Sequence, residues 1–530
     1  MMTAVTPDDI HWRGAGPLRV GRCPVCGCDG EHAAMLDVPA LSPPHQLLTL
    51  IRCSHCESAF YDPPDVRDFS DLGGNEADFW RFYIEVGCGV WETVWPLLAE
   101  RATGSRSLLD VGCGFGFTLD FWRRRGLGDV CGVELASYGR DGAAQLDVPI
   151  HSELLERCAA LRDRRFDVVY ASEVIEHVPD PRTFVQLLAR WVDADGVLVL
   201  TTPNAGYIVP EQRSLTQAAA LAPGFHGFLL SSTAFEDVAR SAGFDHVDVR
   251  VFGERQVLWA SRRPINVDPL AADARNAYLD YLGERFALPD DETPLWQALA
   301  YRRVRDLLNA GRLAESAHAA RRLDDAMARR FGPDVLDPTA VVARLREAKD
   351  LSDLGRVAPH FIACLYFFQG ALAEHHQRDF AKAGTYYGAA CAAIEANARF
   401  GAILALEALS LLWPARAAHA MLQIETSAAA TGVAMLARLA ENGTECRAQD
   451  LFATAPPALV ESTLSRAIDR LVDRGLQTEA STLLAAYRAY AERRYGDRWS
   501  TAPGIEHAMT RIAQPKGVVF EMSFSITPKR

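Results

Sequence analysis

Four cysteines near the N-terminus are spaced as metal ligands are. Two residues separate Cys23 from Cys26, and two residues separate Cys53 from Cys56. Two intervening residues let both sulfurs of a turn face one ion, and two such turns supply four thiolates for a tetrahedral site. Because four thiolates leave no open coordination position for a substrate, we predict that this site holds a structural zinc ion. Three neighbouring side chains are alternative ligands: Cys28, His32 and His55.

A glycine-rich segment farther along the chain has the composition of a ligand-binding loop. An apolar run ends in Asp110 and continues through Gly112, Gly114 and Gly116 into a predicted helix over residues 117–126. Glycines allow a tight turn and bring backbone N–H groups against a ligand. A dinucleotide fingerprint would place its third glycine at position 117, which is phenylalanine, so the pattern argues against a pyrophosphate cofactor.

A second acidic residue ends the next predicted strand. Glu134 stands 24 positions after Asp110, where a carboxylate can accept hydrogen bonds from both hydroxyls of a ribose. The glycine loop and the two carboxylates together indicate a nucleotide-type site.

The elements that must position these residues fall into three zones. Between about residues 105 and 260, short apolar runs alternate with helical patterns, which is typical of a doubly wound α/β sheet. The predicted strands cover residues 107–111, 130–134, 166–171, 196–202 and 247–252, with helices such as 117–126 and 181–192 between them. Residues 20–65 are rich in Cys, Pro and short strand-like runs such as 47–53, and strand patterns nearly vanish between residues 268 and 512.

The helical C-terminal zone shows weak internal repetition. Gly370, Ala383, Tyr387 and Ala390 resemble the pattern of tetratricopeptide repeats, although the Gly-to-Ala spacing is one residue too long. Small residues let paired helices approach closely and stack into a solenoid. An irregular helical bundle is the alternative, and under either interpretation this zone carries no recognisable catalytic constellation.

Composition and charge exclude several classes of protein. A chain of 530 residues corresponds to about three folding units. The net charge of −13 argues against a nucleic-acid partner, which would require a positively charged surface. No uninterrupted apolar stretch of the sequence approaches the roughly 18 residues of a membrane span. Since the N-terminus has no basic-then-apolar leader and the chain has only twelve cysteines, we expect a cytoplasmic protein with mostly reduced cysteines.

Four segments, in this order, resemble the Rossmann-like S-adenosylmethionine-dependent methyltransferases. They are DVGCGFG at residues 110–116, GVE at 132–134, FDVVYASEVIEHVPD at 166–180 and GVLVLTTPN at 196–204. The resemblance spans about residues 105–260 and implies S-adenosylmethionine as the cofactor. It implies that Asp110 and the glycines hold the methionine end, that Glu134 holds the ribose, and that the adenine lies beside Glu153 and Leu154. The full set of implied cofactor residues is Asp110, Gly112, Cys113, Gly114, Gly116, Glu134, Leu135, Glu153, Leu154 and Ser172.

A narrower resemblance joins the first two zones. The order of two CxxC knuckles, an aromatic helix and this core is similar to that of nucleotide-sugar C-methyltransferases and related enzymes of polysaccharide and antibiotic biosynthesis. In that family two histidines lie near the reacting carbon, and the matching positions here are His177 and His226. The chain departs from the family in having Phe225 where an acidic residue usually precedes the second histidine, and in having a helical C-terminal half.

The candidate base is a histidine. No lysine precedes Lys349, so a base in the catalytic half must be histidine, carboxylate or tyrosine. A histidine with a near-neutral pKa suits removal of a hydroxyl proton, and we favour His226 over His177 for that role. Trp80 and Tyr83 of the aromatic helix either wall the acceptor pocket or pack beside it.

We therefore predict an α/β fold, with a Rossmann-like methyltransferase sheet, a small N-terminal zinc-ribbon-like lobe and an all-α C-terminal domain. The predicted boundaries are 1–70 for the zinc-binding lobe, 71–104 for a helical lead-in, 105–262 for the methyltransferase domain and 263–530 for the helical domain. The predicted reaction is methyl transfer from S-adenosylmethionine to a hydroxyl or carbon of a sugar, glycan or secondary metabolite, with the helical half binding a protein partner or a larger acceptor. The alternatives are a protein or RNA methyltransferase, and a helical-repeat scaffold with a subsidiary methyltransferase domain.

Overall fold

The structure is a computed structural model of the chain. It describes residues 9–14, 17–41, 45–64, 80–100, 106–212, 215–269, 272–289, 292–400, 406–426, 428–442, 457–495 and 504–513. Part of the predicted lead-in, at residues 71–79 and 101–104, lies outside these ranges. The described residues divide into two compact units, one that ends at Leu412 and one that begins at Trp413.

Thirteen strands lie in the described residues, and they form one sheet of six strands and one of seven. The strands are β1 (His11–Trp12), β2 (Leu18–Arg22), β3 (Asp29–Pro39), β4 (Leu47–Arg52), β5 (Ala59–Asp62), β6 (Leu108–Val111), β7 (Val130–Val133), β8 (Ile150–His151), β9 (Phe166–Ser172), β10 (Val192–Pro203), β11 (Phe228–Leu229), β12 (His246–Phe252) and β13 (Arg255–Ser261).

The six-stranded sheet carries the four cysteines. Its strands run in the order β1-β3-β4-β5-β11, with β2 paired to the other edge of β3, and every pair is antiparallel. Alternate side chains of β3 are buried, namely His32, Ala34, Leu36 and Val38, because successive residues of a strand point to opposite faces. The predicted lobe is therefore larger than its own segment, since β11 joins it from the predicted methyltransferase domain.

The seven-stranded sheet has the order β12-β13-β10-β9-β6-β7-β8. Strands β6 to β10 run parallel to one another, and β13 runs antiparallel to both β10 and β12. This confirms the predicted α/β class. All five strands predicted for this zone are present, whereas β8 and β13 of this sheet were not predicted. Strand β10 also begins earlier than predicted, at Val192. Its pairing with β9 shifts register between Val192 and Val197.

Eighteen α-helices lie in the described residues, and a π-helical turn, Tyr83–Gly87, precedes the first of them. Those up to β13 are α1 (Val90–Ala99), α2 (Phe117–Arg124), α3 (Tyr138–Leu146), α4 (Pro181–Leu188), α5 (Leu215–Leu221) and α6 (Ser232–Ser241). Those after it are α7 (Ala272–Phe286), α8 (Pro294–Asn309), α9 (Leu313–Phe331), α10 (Pro338–Glu347), α11 (Leu351–Val357), α12 (Ile362–Leu372), α13 (Phe380–Ala398), α14 (Leu406–Glu425), α15 (Ala429–Asn442), α16 (Pro457–Asp473), α17 (Gln477–Tyr495) and α18 (Ile505–Ala513).

Helices α7 and α8 belong to the same hydrophobic core as the seven-stranded sheet. Tyr278, Tyr281 and Leu299 lie in one buried cluster with Leu108 and Val199 of the sheet. The first compact unit therefore continues to Leu412, whereas the sequence places a domain boundary at residue 263. Apolar contacts between segments so far apart in the chain are not visible in local hydrophobic periodicity.

The pair α12 and α13 shows the close approach that the repeat prediction requires. A Cβ placed on Gly370 would lie 2.8 Å from the ring of Tyr387, and Ala383 and Ala390 are fully buried. The tetratricopeptide architecture itself stays a prediction. The second unit has its own apolar core, which includes Leu436, Leu464 and Leu483. No helix within the described ranges is both long and apolar enough to cross a membrane.

Candidate functional site

A cavity of about 1060 Å³ opens at the carboxyl ends of β6, β7 and β9. The strand order reverses between β6 and β9, because the chain continues to β7 on one side of β6 and returns to β9 on the other. Such a switch point leaves a crevice in which open α/β sheets bind ligands. Asp110, Glu134 and Ser172, at the ends of the three strands, all line the cavity.

The glycine loop has a backbone conformation that other residues rarely adopt. Gly112, Gly114 and Gly116 have φ values of +72°, +58° and +89°, in the left-handed region that favours glycine. A Cβ on Gly112 would lie 2.6 Å from Cγ2 of Val174, and one on Gly116 would lie 2.8 Å from Cδ1 of Ile150. The loop therefore needs glycine for its turn and for its packing.

Two carboxylates line this cavity, of which Asp110 is buried and Glu134 is half-buried. Glu134 Oε2 accepts a hydrogen bond from the Gly114 amide at 3.0 Å, and its Oε1 accepts one from the Ala136 amide at 2.8 Å. Burial and the neighbouring Glu134 raise the pKa of Asp110 to about 8, while the Thr118 hydroxyl acts in the opposite direction. Burial likewise raises the pKa of Glu134. Two adjacent acids that line one cavity suit a ligand that brings positive charge, and S-adenosylmethionine carries a sulfonium and an ammonium group.

The other predicted cofactor residues lie around the same cavity. Cys113 is buried, and Leu135 and Leu154 are 48% and 40% exposed. Of the ten residues predicted to hold the cofactor, all but Gly116 line the cavity, and Gly116 ends the loop just before α2. The structure thus brings the predicted set together, and the site fits the cofactor in shape, hydrogen-bond acceptors and charge.

An aromatic wall completes one side of the cavity. Trp80 stacks on Tyr138 with ring centroids 3.6 Å apart, and Tyr83 packs against Tyr138 at 5.5 Å. Tyr138, Glu173 and Arg255 also line the cavity and were not predicted. Glu173 follows Ser172 in the segment 166–180 that resembles the methyltransferases. Tyr138 and Arg255 reach the cavity from α3 and β13, and no sequence motif indicates that they do.

The two candidate histidines meet at a buried glutamate. Nε2 of His177 lies 3.8 Å from Glu176 Oε1, and Nε2 of His226 lies 3.9 Å from the same oxygen. The two imidazole rings are 4.8 Å apart. Glu176 is fully buried, and its Oε2 accepts a hydrogen bond from Thr202 Oγ1 at 3.0 Å. We call these three side chains the Glu–His–His cluster.

The two histidines differ in their access to the cavity. His177 lines it, whereas His226, at 8% exposure, packs behind. Burial lowers the pKa of both imidazoles, and for His226 the nearby His177 lowers it further. Burial also raises the pKa of Glu176. The favoured base, His226, therefore adjoins the cavity through His177 and Glu176 instead of facing it directly.

The four knuckle cysteines converge on one point. The sulfurs of Cys23 and Cys56 lie 3.7 Å apart, as do those of Cys26 and Cys53, and all four lie within 4.8 Å of one another. A tetrahedral ion with bonds of about 2.3 Å places its sulfurs about 3.8 Å apart. The donor set therefore fits zinc. The three alternative ligands are not members of this cluster: Cys28, His32 and His55.

Comparisons with known proteins agree with this geometry. A family model described as a methyltransferase domain matches residues 83–249. The ubiquinone biosynthesis O-methyltransferase of Psychrobacter arcticus is 28% identical over 221 residues, which are 36% of this chain and 84% of that protein. The protein of the same name from Neisseria meningitidis serogroup A is 35% identical over 106 residues, 19% of this chain, and the match spans 44% of its length.

Solved structures are similar over about a third of the chain. A possible histamine N-methyltransferase from Thermotoga maritima is 15% identical with a TM-score of 0.28, over 35% of this chain and 100% of that one. A putative O-methyltransferase from Nostoc punctiforme is 14% identical with a TM-score of 0.28, over 34% of this chain and 59% of that one. The sequence matches place an S-adenosylmethionine-dependent methyltransferase domain within residues 83–249.

Proposed function

We propose that the protein transfers a methyl group from S-adenosylmethionine to a hydroxyl group of a small molecule. The observation that carries this proposal is that one cavity is lined both by the two carboxylates and the glycine loop and by His177 of the Glu–His–His cluster. The curated relatives are named O-methyltransferases, which favours oxygen as the acceptor atom. Sugars, glycans and secondary metabolites are the proposed acceptor classes.

The residues of the glycine loop would hold the cofactor. Asp110 and Glu134 would offer negative charge and hydrogen-bond acceptors, and the glycines would let the backbone approach the cofactor closely. S-adenosylmethionine, when bound, supplies an electrophilic methyl group on a sulfonium. The cavity walls exclude water and hold the acceptor, so that most of the rate arises from orientation.

The Glu–His–His cluster would receive the proton that the acceptor hydroxyl loses. The acceptor oxygen forms the new bond to the methyl carbon, the electron pair of the old carbon–sulfur bond stays on sulfur, and the hydroxyl proton leaves through the cluster. His177 is the member of the cluster that lines the cavity. Incubating the protein with labelled cofactor and a panel of phenols, sugars and nucleotide sugars, followed by mass analysis, tests the proposal; no methylated product from any of them contradicts it.

We also propose that the four thiolates bind a structural zinc ion, on the sulfur geometry given above. A protein partner for the helical C-terminal half, residues 263–530, and a cytoplasmic location stay proposals that rest on the sequence alone.

Replacing His226 with alanine is expected to preserve cofactor binding and lower turnover at least about tenfold. The reason is that His226 belongs to the cluster that receives the proton but lies behind the cavity. Steady-state methyl transfer and calorimetry with S-adenosylmethionine measure the two effects. His246→Ala, on an exposed part of β12, is the matched control, and wild-type turnover in His226→Ala would refute the role.

Cofactor binding is expected to strengthen as the pH rises through the pKa of Asp110, which is about 8. Below that pH the carboxyl group is protonated and cannot pair with a cation, so affinity should rise at least about tenfold between about pH 6.5 and 8.5. Asp110→Asn should bind about 10- to 100-fold more weakly at high pH and lose this dependence. Calorimetry across the range provides the measurement, and an unchanged pH profile in the variant contradicts the assignment.

A further inference from the structure

A second hollow lies at the end of the seven-stranded sheet opposite the cofactor cavity. Arg165 directly precedes β9, Val192 begins β10 and Arg262 directly follows β13, and all three line this hollow. Because β9 and β10 are parallel and β13 runs antiparallel to β10, these positions mark the amino ends of the parallel strands. No residue lines both this hollow and the cofactor cavity, so the two sites are separate.

The hollow is basic, although the chain is acidic. Its three arginines come from different segments: Arg165 before β9, Arg190 after α4 and Arg262 after β13. No carboxylate side chain is among the described residues that line it. In a chain with a net charge of −13, three guanidinium groups around one hollow concentrate positive charge. We call it the arginine hollow.

The acidic side chains nearest in the sequence are occupied elsewhere. Asp193 Oδ1 accepts a hydrogen bond from the amide of the next residue at 2.6 Å, and Asp195 pairs with Arg263, which does not line the hollow. Arg165 and Arg190 are exposed, and neither forms an ion pair within the described part of the chain. The positive charge is therefore not neutralised by carboxylates of the protein.

The third arginine is held in a fixed orientation. Nη2 of Arg262 donates a hydrogen bond to the Ala189 carbonyl oxygen at 3.0 Å, and its Nη1 donates to those of Val192 and Asp193 at 3.4 Å. Its guanidinium also lies 5.1 Å from the centre of the Phe244 ring. A side chain that is oriented before a ligand arrives loses less conformational entropy on binding.

The helices beside the hollow do not balance its charge. Helix α4 ends at Leu188 and α6 ends at Ser241, and Ala189 and Ser241 line the hollow. Each carboxyl terminus of a helix contributes about half a negative charge. Together the two ends offset roughly one of the three positive charges, so about two remain.

We propose that the arginine hollow binds a small molecule that carries a diphosphate group. A guanidinium fork matches the oxygens of a phosphate and donates two parallel hydrogen bonds to them. A diphosphate carries roughly two to three negative charges at neutral pH, which matches the charge that the helix ends leave. The volume of about 640 Å³ is in the range of small-molecule sites, and the Gln186 amide adds N–H donors at the wall.

Titration calorimetry of the full chain with pyrophosphate tests this proposal. We expect the wild-type protein to bind one equivalent, Arg165→Gln and Arg190→Gln each to bind at least about fivefold more weakly, and the double variant at least about 25-fold more weakly. Both side chains are exposed, so these variants should fold like wild type. Arg321→Gln, at an exposed position of α9, removes the same charge far from the hollow and should bind like wild type.

Three further titrations define the ligand and the place where it binds. ADP, which carries the diphosphate on an organic molecule, should bind at least as tightly as pyrophosphate, whereas sulfate should bind at least about tenfold more weakly. Saturating S-adenosylmethionine should leave the affinity for pyrophosphate unchanged, because the two sites share no lining residue. The proposal is overturned if the wild-type protein binds neither pyrophosphate nor ADP, if all variants bind equally, if sulfate binds as tightly as pyrophosphate, or if S-adenosylmethionine displaces pyrophosphate.

Discussion

Replacing Cys53 with serine is expected to lower methyl transfer at least about 100-fold while S-adenosylmethionine still binds. Loss of one thiolate from a four-thiolate site removes most of the zinc affinity, and zinc binding contributes directly to folding of small metal-bound lobes. Cys53 is also buried in the same hydrophobic cluster as Phe60 of β5 and Phe228 of β11. Loss of the ion should therefore disturb the pairing between these two strands.

That pairing positions the segment that carries His226. Phe228 pairs with Phe60, and Leu229 pairs with Ala59. Ser231 Oγ donates a hydrogen bond to the Cys56 carbonyl oxygen at 2.6 Å, so the second CxxC turn contacts the same segment. The glycine loop, in contrast, follows β6 of the other sheet. Zinc removal should thus affect the acceptor side of the cavity far more than cofactor binding.

The control is Cys28→Ser, which changes the same kind of residue in the same segment. Its sulfur lies near the Asp29 carbonyl oxygen and outside the four-cysteine cluster, so this variant should keep its zinc and its turnover. Metal analysis, calorimetry with the cofactor and a transfer assay make up the measurement. A Cys53→Ser protein that retains zinc and full transfer would contradict the structural role of the site.

The cofactor side of the site could be predicted because its residues are local in the chain. Asp110 and the three glycines belong to one strand–turn–helix segment, so their spacing alone indicates a ligand loop. The CxxC pairs are local in the same way, and each lies in a single turn. Their types and spacing carry the chemistry directly.

The acceptor side could be predicted only in part, because long-range pairing builds it. The resemblance pointed to His177 and His226, but it gave no role to Glu176, the residue at which the histidines meet. Nothing in the local pattern indicates that residues 228–229 add a strand to a sheet formed by residues 11–62. Side-chain access is likewise a tertiary property, which is why the favoured base lies behind the cavity.

The first helices after β13 support one wall of the cofactor cavity, although no sequence motif predicts this contact. Arg302 of α8 is 2% exposed, and its guanidinium donates hydrogen bonds to the carbonyl oxygens of Ile84 at 3.1 Å and Cys88 at 2.7 Å. These carbonyls belong to the turn around the π-helix Tyr83–Gly87. Tyr83, Gly87 and Cys88 line the cofactor cavity, so a helix more than 200 residues away in sequence fixes a wall of the site.

A buried glutamate in the same turn makes a second connection to the helices. Glu85 is fully buried, and its Oε2 accepts a hydrogen bond from the His360 amide at 2.7 Å. Its Oε1 accepts one from Arg81 Nε at 2.9 Å, and Arg330 lies 3.7 Å from the same oxygen. Glu85 therefore connects the lead-in turn to Arg330 of α9 and to the backbone at His360. The position of this turn depends on residues that the sequence assigned to a separate domain.

Arg302→Met is expected to destabilise the first unit by about 3 kcal/mol or more, since it keeps the apolar stem but leaves several buried carbonyl oxygens without a donor. Affinity for S-adenosylmethionine should fall at least tenfold, because the wall formed by Tyr83 and Cys88 loses its support. Arg302→Lys, which keeps the charge but not the planar fork of donors, should show an intermediate loss. Arg321→Met, at an exposed position of α9, should change neither quantity. If chemical denaturation and cofactor calorimetry find Arg302→Met equal to that control, helix α8 covers the methyltransferase domain without positioning its cofactor site.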